Sequence, residues 1–238
     1  FSFNDSTVAA FPLSGFTMEW YSRAFYDDQV RKSLLASLQV ALISAFFATL
    51  LALLAAYPLA RRRVWGRGVL SALLLVPLVV PTVVLGVALL LLFQRGLIPL
   101  GLGLPSIMVG HTIIAFPFAL LILLPRIAGV DRRLEEASQD LGASGLQTFR
   151  LVLLPLIFPS IISAYLIAFV FSIDEVVIAS FLSSAQVTYP VYLYSGLKFA
   201  EKTQSLIPVA SLLIVISFLL VIIAEVIRRY GDRRAVGQ

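Results

Sequence analysis

The chain has 238 residues, 60% of them hydrophobic and 13% charged, where soluble domains carry roughly 45–50% and about 25%. That balance excludes a soluble globular domain, and the absence of cysteine excludes both a disulfide framework and a thiolate metal site. The net charge of +5 does not make a nucleic-acid surface, because the basic residues fall at the ends of apolar runs, as charges flanking membrane helices do. Membrane lipids are the expected surroundings, with no nucleic-acid partner.

The opening "FSFNDS" reads as the trailing end of an earlier span, so residues 1–32 are expected to be an extracytoplasmic segment following a helix that precedes Phe1. Uncharged runs at 33–60, 69–94, 96–125, 151–173 and 203–224 exceed the roughly 18 residues that suggest a spanning helix. Within 96–125, the cluster Pro99, Gly101, Gly103 and Pro105 makes a loop and leaves 107–125 as the span. Five transmembrane helices are expected in this chain. Pro77, Pro81, Pro117, Pro155 and Pro159 fall inside them and favour kinks.

The stretch 176–197 is also uncharged, but Ser183, Ser184, Ala185, Gln186 and Pro190 interrupt it. It is read as a short helix or re-entrant piece within an outer, non-spanning segment 176–202, allowed at depth only under a cover of protein or a water cavity. Five alternating spans put twelve of the eighteen basic residues inside, among them Arg61, Arg62, Arg63, Arg67, Arg126, Arg132, Arg133 and Arg150. That asymmetry matches the positive-inside pattern. The transmembrane domain is then 33–227, followed by a basic cytoplasmic tail at 228–238.

This orientation turns "EEASQDLGASGLQTFRLVLLPL", residues 135–156, toward the cytoplasm. Asp131 can cap a helix with Glu135 in its first turn. Gly142 ends that helix, and Ser144 with Gln147 forms a capping box for the next one. Leu134, Ala137, Leu141 and Leu146 give the elbow at 131–150 a small apolar surface. One reading is an amphipathic loop in the headgroup layer. The other is a protein-docking plug, favoured by Glu135, Glu136 and Asp140, since acids are repelled by an anionic leaflet.

Ionisable residues near the spans are His111, Asp174, Glu175 and Glu225. Glu225 sits beside Arg228 and Arg229 as a helix-end charge, and His111 suits a hydrogen bond to a neighbouring helix better than a proton relay. Asp174 and Glu175 either mark the outer end of the fourth span and cap the short helix after it, or face water or a passing solute, because a bare charge in lipid is costly. No G-x-x-x-x-G-K-[ST] motif occurs, so the chain has no P-loop for ATP. No constellation of catalytic residues appears either, and no enzyme activity is expected of the subunit. A secondary ion-coupled transporter or channel is the alternative, whose expected internal inverted repeat is not evident.

Glu136-Ala137-Ser138, then Gly142, then Leu154-Pro155, resembles the EAA loop of binding-protein-dependent ABC importer permeases, E-A-A-x-x-x-G followed by I-x-L-P. Ser138 and Val152 depart mildly from that pattern. "FSFNDS", "GFTMEWY", "DLGAS" and "FSIDEVVIASFLS" are similar to the second permease of spermidine/putrescine-type systems. The resemblance implies an all-α type I ABC importer permease fold with six spans, a helix before Phe1 completing the five. It implies alternating access in the bacterial inner membrane for polyamines or a related, cationic or amino-containing solute. Expected partners are a second permease subunit of different sequence, two ATP-binding subunits holding ATP and Mg, and an extracytoplasmic solute-binding protein. Glu135, Glu136, Ala137, Ser138, Asp140, Leu141, Gly142 and Ala143 would form the ATPase-coupling site. Asp174 and Glu175 would line the solute pathway.

Overall fold

In this computed structural model the described residues are 1–5, 13–62, 65–96 and 98–236. Arg63 and the last two residues of the basic tail lie outside them. The described residues form α1 (Glu19–Tyr26), α2 (Asp28–Arg61), α3 (Arg67–Leu74), α4 (Val76–Val79), α5 (Thr82–Gln94), α6 (Leu104–Gly129), α7 (Arg132–Asp140), α8 (Gly145–Thr148), a π-helical turn (Phe149–Leu153), α9 (Leu154–Ile173), α10 (Val177–Leu182), α11 (Tyr189–Gly196) and α12 (Ala200–Val236). Four stretches among the described residues are long and apolar enough to cross a membrane: Asp28–Arg61, Leu104–Gly129, Gly145–Ile173 and Thr203–Gly231.

The span expected at 69–94 is instead built from three pieces, α3, α4 and α5. Its prolines are the reason: Pro77 opens α4, and Pro81 stands at the N-cap of α5. Neither can donate a backbone hydrogen bond, and Val80, directly before Pro81, is driven to an extended ψ of 129°.

α2 is the organising helix. Its 34 residues extend roughly 51 Å, well beyond the ~30 Å hydrocarbon thickness. Asp27 caps it, accepting from the backbone amides of Gln29 and Val30. One face carries small buried residues: Ser37, Ala41, Ser44, Ala45, Ala48, Ala52, Ala56 and Ala60. Their spacing of three and four keeps them in register along the helix, and their size lets neighbouring backbones approach closely, the main source of helix association in lipid. α6 takes that face along much of its length, and α9 packs into the same seam. Ser44 donates from Oγ to the Met108 carbonyl at 3.0 Å.

Cross-helix bonds fix the directions. Arg61 reaches Val130, while Arg126 reaches the carbonyls of Leu156 and Gly231. At the other end Tyr189 donates to the Leu206 carbonyl and to Ser37 Oγ. α2, α6 and α12 therefore run one way and α9 runs back. The segment after α9 folds as two short helices, each with one face buried against the bundle. Ile178, Ala179 and Leu182 of α10 are buried against α5 and α6, and α11 packs on α2 and α12. The Gly103 amide donates to the Leu182 carbonyl at 2.9 Å, tying the loop before α6 to α10.

α10 fits because glycines face it. A Cβ on Gly86 would meet Phe181 at 2.5 Å, and one on Gly110 would meet Ile178 at 2.6 Å. Gly110→Val is therefore expected to lower stability by about 1–3 kcal/mol through overpacking, read as earlier thermal unfolding of the purified chain in detergent. Gly129→Ala, whose added Cβ meets nothing within 4 Å, should leave the transition where it is.

Candidate functional site

The elbow is built as its caps dictate. Asp131 accepts from the Arg133 amide and starts α7, with Glu135 in the first turn. Gly142 stops it at a φ of 90°, a conformation that a side chain resists. Ser144 and Gln147 then cap each other, Gln147 Oε1 accepting from the Ser144 amide at 2.7 Å and Ser144 Oγ accepting from the Gln147 amide at 3.3 Å. α8 passes without interruption through the π-helical turn into α9. Phe149 rests edge-on against Tyr57 of α2, ring centroids 5.4 Å apart, and Ser138 lies 3.3 Å from the Thr148 hydroxyl.

The site residues separate into two sets. Glu136, Ala137, Asp140, Leu141 and Gly142 are exposed, with Ser138 and Ala143 half-buried. Leu141 is 91% and Leu146 77% exposed, so a short helix ending presents bare leucines beside the carboxylates of Glu136 and Asp140. Glu135 differs from its neighbour Glu136 because one helical residue turns a side chain by about 100°. Its side chain is 12% exposed and lies 2.6 Å from Nη2 of Arg61, itself 7% exposed. Arg61 also donates from both terminal nitrogens to the Val130 carbonyl, at 3.1 Å each. Arg132 returns the contact, donating to the Ala60 carbonyl at 2.9 Å. In the sequence Arg61 and Arg132 read only as flanking charge, since nothing in a linear pattern says which arginine turns back under the elbow.

Asp174 and Glu175 lie at the opposite end of α9. Asp174 is its C-cap, exposed on the surface of this chain. Glu175 Oε1 accepts from the Ile178 amide at 2.7 Å and so caps α10. His111 is fully buried, its Nδ1 2.8 Å from Ser172 Oγ. Glu225 is paired with Arg228 and Arg229 at 2.8 and 2.6 Å. Among the described residues no group of three His, Asp or Glu side chains could hold a metal ion.

Residues 48–236 match the family described as the binding-protein-dependent transport system inner membrane component. The chain belongs to that family. It is a multi-pass protein of the bacterial inner membrane with the type I ABC importer permease fold, and it acts as a permease subunit. It is 34% identical over 229 residues to the spermidine/putrescine transport system permease protein PotC of Escherichia coli K12, spanning 96% of this chain and 85% of that one. PotC of Haemophilus influenzae is 32% identical over 219 residues, spanning 92% and 84%. The putrescine transport system permease protein PotI of Escherichia coli K12 is 34% identical over 204 residues, spanning 83% and 72%.

The fold is shared more widely among solved permeases. A chain of the inward-facing MetNI methionine ABC transporter superposes with a TM-score of 0.66 at 21% identity, covering 85% of this chain and 95% of its own. A chain of a bacterial ABC transporter that imports the acidic polysaccharide alginate gives 0.69 at 16% identity, covering 94% and 86%.

The elbow's geometry rests on its caps. Ser144→Ala is expected to cost about 1 kcal/mol locally, measured as roughly fivefold faster amide exchange over Gly145–Gln147. Gln147→Ala, which removes the reciprocal bond, should speed exchange at the Ser144 amide.

Proposed function

We propose that this permease subunit pairs with a second, different permease to enclose a solute pathway. In this reading ATP hydrolysis in two bound ATPase subunits drives alternating access, and an extracytoplasmic binding protein delivers a polyamine or a related cationic, amino-containing solute. The observation that carries it is identity of 32–34% over most of the chain to polyamine permeases, joined to an elbow that exposes Leu141, Leu146, Glu136 and Asp140. ATP and Mg belong to the partner, which supplies the energy that this chain has no P-loop to collect.

In this reading the elbow faces the cytoplasm and seats in a cleft of the ATPase. Leu141 and Leu146 supply apolar area there, and Glu136 and Asp140 contact basic groups. Gly142 permits the turn that presents them. Exposed acids suit a basic protein surface and are ill-suited to an anionic leaflet, which supports a protein occupant over lipid. At the outer end Asp174, exposed and acidic, suits a cationic solute by charge. Glu175 spends one oxygen on α10 and would act there chiefly by its field.

The assembled complex in proteoliposomes tests this directly. Leu141→Asp places a charge in the proposed apolar contact and is expected to strip the ATPase from the complex and abolish ATP-dependent uptake of labelled spermidine and putrescine. Retained ATPase and uptake would remove the elbow from that role. Uptake by this subunit alone, driven by an ion gradient, would favour a secondary transporter instead.

Asp174→Asn combined with Glu175→Gln should reduce polyamine uptake at least about tenfold, on the order of one lost charge contact, with the ATPase still bound. Unchanged uptake would take both carboxylates off the path.

A further inference from the structure

The first helix of the elbow is tied to the ends of α2 and α6 by nearly buried charge, and it joins α9 through a run of irregular helix that packs on α2 by Phe149. α2 and α6 run in parallel and end together, so the partial negative charges of two helix C-termini meet at Ala60 and Val130. Two arginines cross that junction in opposite directions. Arg61, the last residue of α2, donates to the Val130 carbonyl at the C-cap of α6, and Arg132, the first of α7, donates to the Ala60 carbonyl of α2. Glu135, in the first turn of α7, lies 2.6 Å from Arg61 Nη2, with both side chains nearly sealed from solvent. Glu135 Oε1 has no aligned hydrogen-bond donor despite this short distance, so the contact with Arg61 is one of charge more than of hydrogen bonding. In the low-dielectric interior such a contact resists separation more than it would at a surface.

The link from α7 to α9 has a different character. It runs through Gly142 at positive φ, a single-turn α8 and the π-helical turn Phe149–Leu153, with Pro155 opening α9. π-turns and prolines are where helices bend. The hydroxyls of Ser138 and Thr148 meet between α7 and that run.

We propose that Arg61 and Glu135 are positioning residues that clamp α7 to the joined ends of α2 and α6. A push on the elbow then moves α2 and α6 as one body with α7, while the π-helical turn yields and lets α9 change its angle. The inference rests on the reading that α7 engages an ATPase, and it names the spanning helices that receive the motion. Glu135 acts through Arg61, inside the chain, while Glu136 on the neighbouring face is left for the partner.

The test uses the full importer in proteoliposomes with loaded binding protein. Arg61→Gln and Glu135→Gln should each leave the ATPase bound but lower solute uptake per ATP hydrolysed at least about fivefold, within the ordinary range of site-to-site coupling. The double variant should be no worse than the more damaging single one, since both remove one interaction, and Glu135→Asp should restore part of the loss. Wild-type uptake per ATP in both single variants would overturn the clamp. Loss of the ATPase from Glu135→Gln alone would also overturn it, by making Glu135 a partner contact.

A second measurement needs no change to the clamp. The chain has no cysteine, so spin labels at exposed Arg133 and Arg62, or at exposed Arg133 and Phe158, report α7 against α2 and against α9. The 62–133 distance should hold between nucleotide-free and ATP-trapped states while the 133–158 distance shifts, and the reverse pattern would sink the proposal. A label at Leu141 that shows no ATPase contact in the intact complex would instead remove the underlying reading.

Discussion

Two helices that run the same way and end side by side bring two negative dipole ends together, and the fold of this chain has to neutralise them. It does so with Arg61, the last residue of α2, which donates to the carbonyl at the end of α6, and with Arg132, the first of α7, which donates to the Ala60 carbonyl at the end of α2. Glu135 balances the guanidinium that would otherwise be nearly buried alone, a state that costs several kcal/mol. The small-residue face of α2 makes this necessary, because close packing with α6 leaves the ends no distance over which charge could be screened. From the same junction the chain turns into the elbow, so the one polar crossing fixes both the seam and the direction in which α7 departs.

A second constraint is the lack of water in the hydrocarbon layer, where each backbone group must find its partner within the protein. Continuous helices meet it in α2, α6, α9 and α12. The interrupted pieces meet it by burial: α10 lies in notches made by Gly86 and Gly110, with its N-terminal amide held by Glu175 and its last residue bonded to Gly103. α11 is held through Tyr189 to α2 and α12.

Permeases at 16–21% identity share this fold, which is consistent with an architecture defined by small residues at close approaches and apolar residues elsewhere. Many sequences satisfy such demands. Fold alone does not name a solute. The polyamine reading accordingly comes from the nearer relatives and from the charge at Asp174, and the superposition with methionine and alginate importers contributes only the scaffold.

Much of the elbow was legible in one dimension, because caps are local. Asp131, Gly142 and the Ser144–Gln147 pair act on backbone groups two or three residues away, and the structure shows each in that role. Apolar run length likewise marked the long helices, since the bilayer sets a length that sequence can be measured against. The three-piece character of 67–94 was less evident: Pro77 and Pro81 suggested kinks, but whether a proline bends or breaks a helix depends on what neighbours supply to the freed carbonyls. The separate fates of Glu135 and Glu136, and the turning of Arg61 and Arg132 beneath the elbow, were decided by tertiary structure alone. An ion pair between residues 61 and 135 depends on where two spanning helices end in space, and composition, periodicity and spacing carry no record of that.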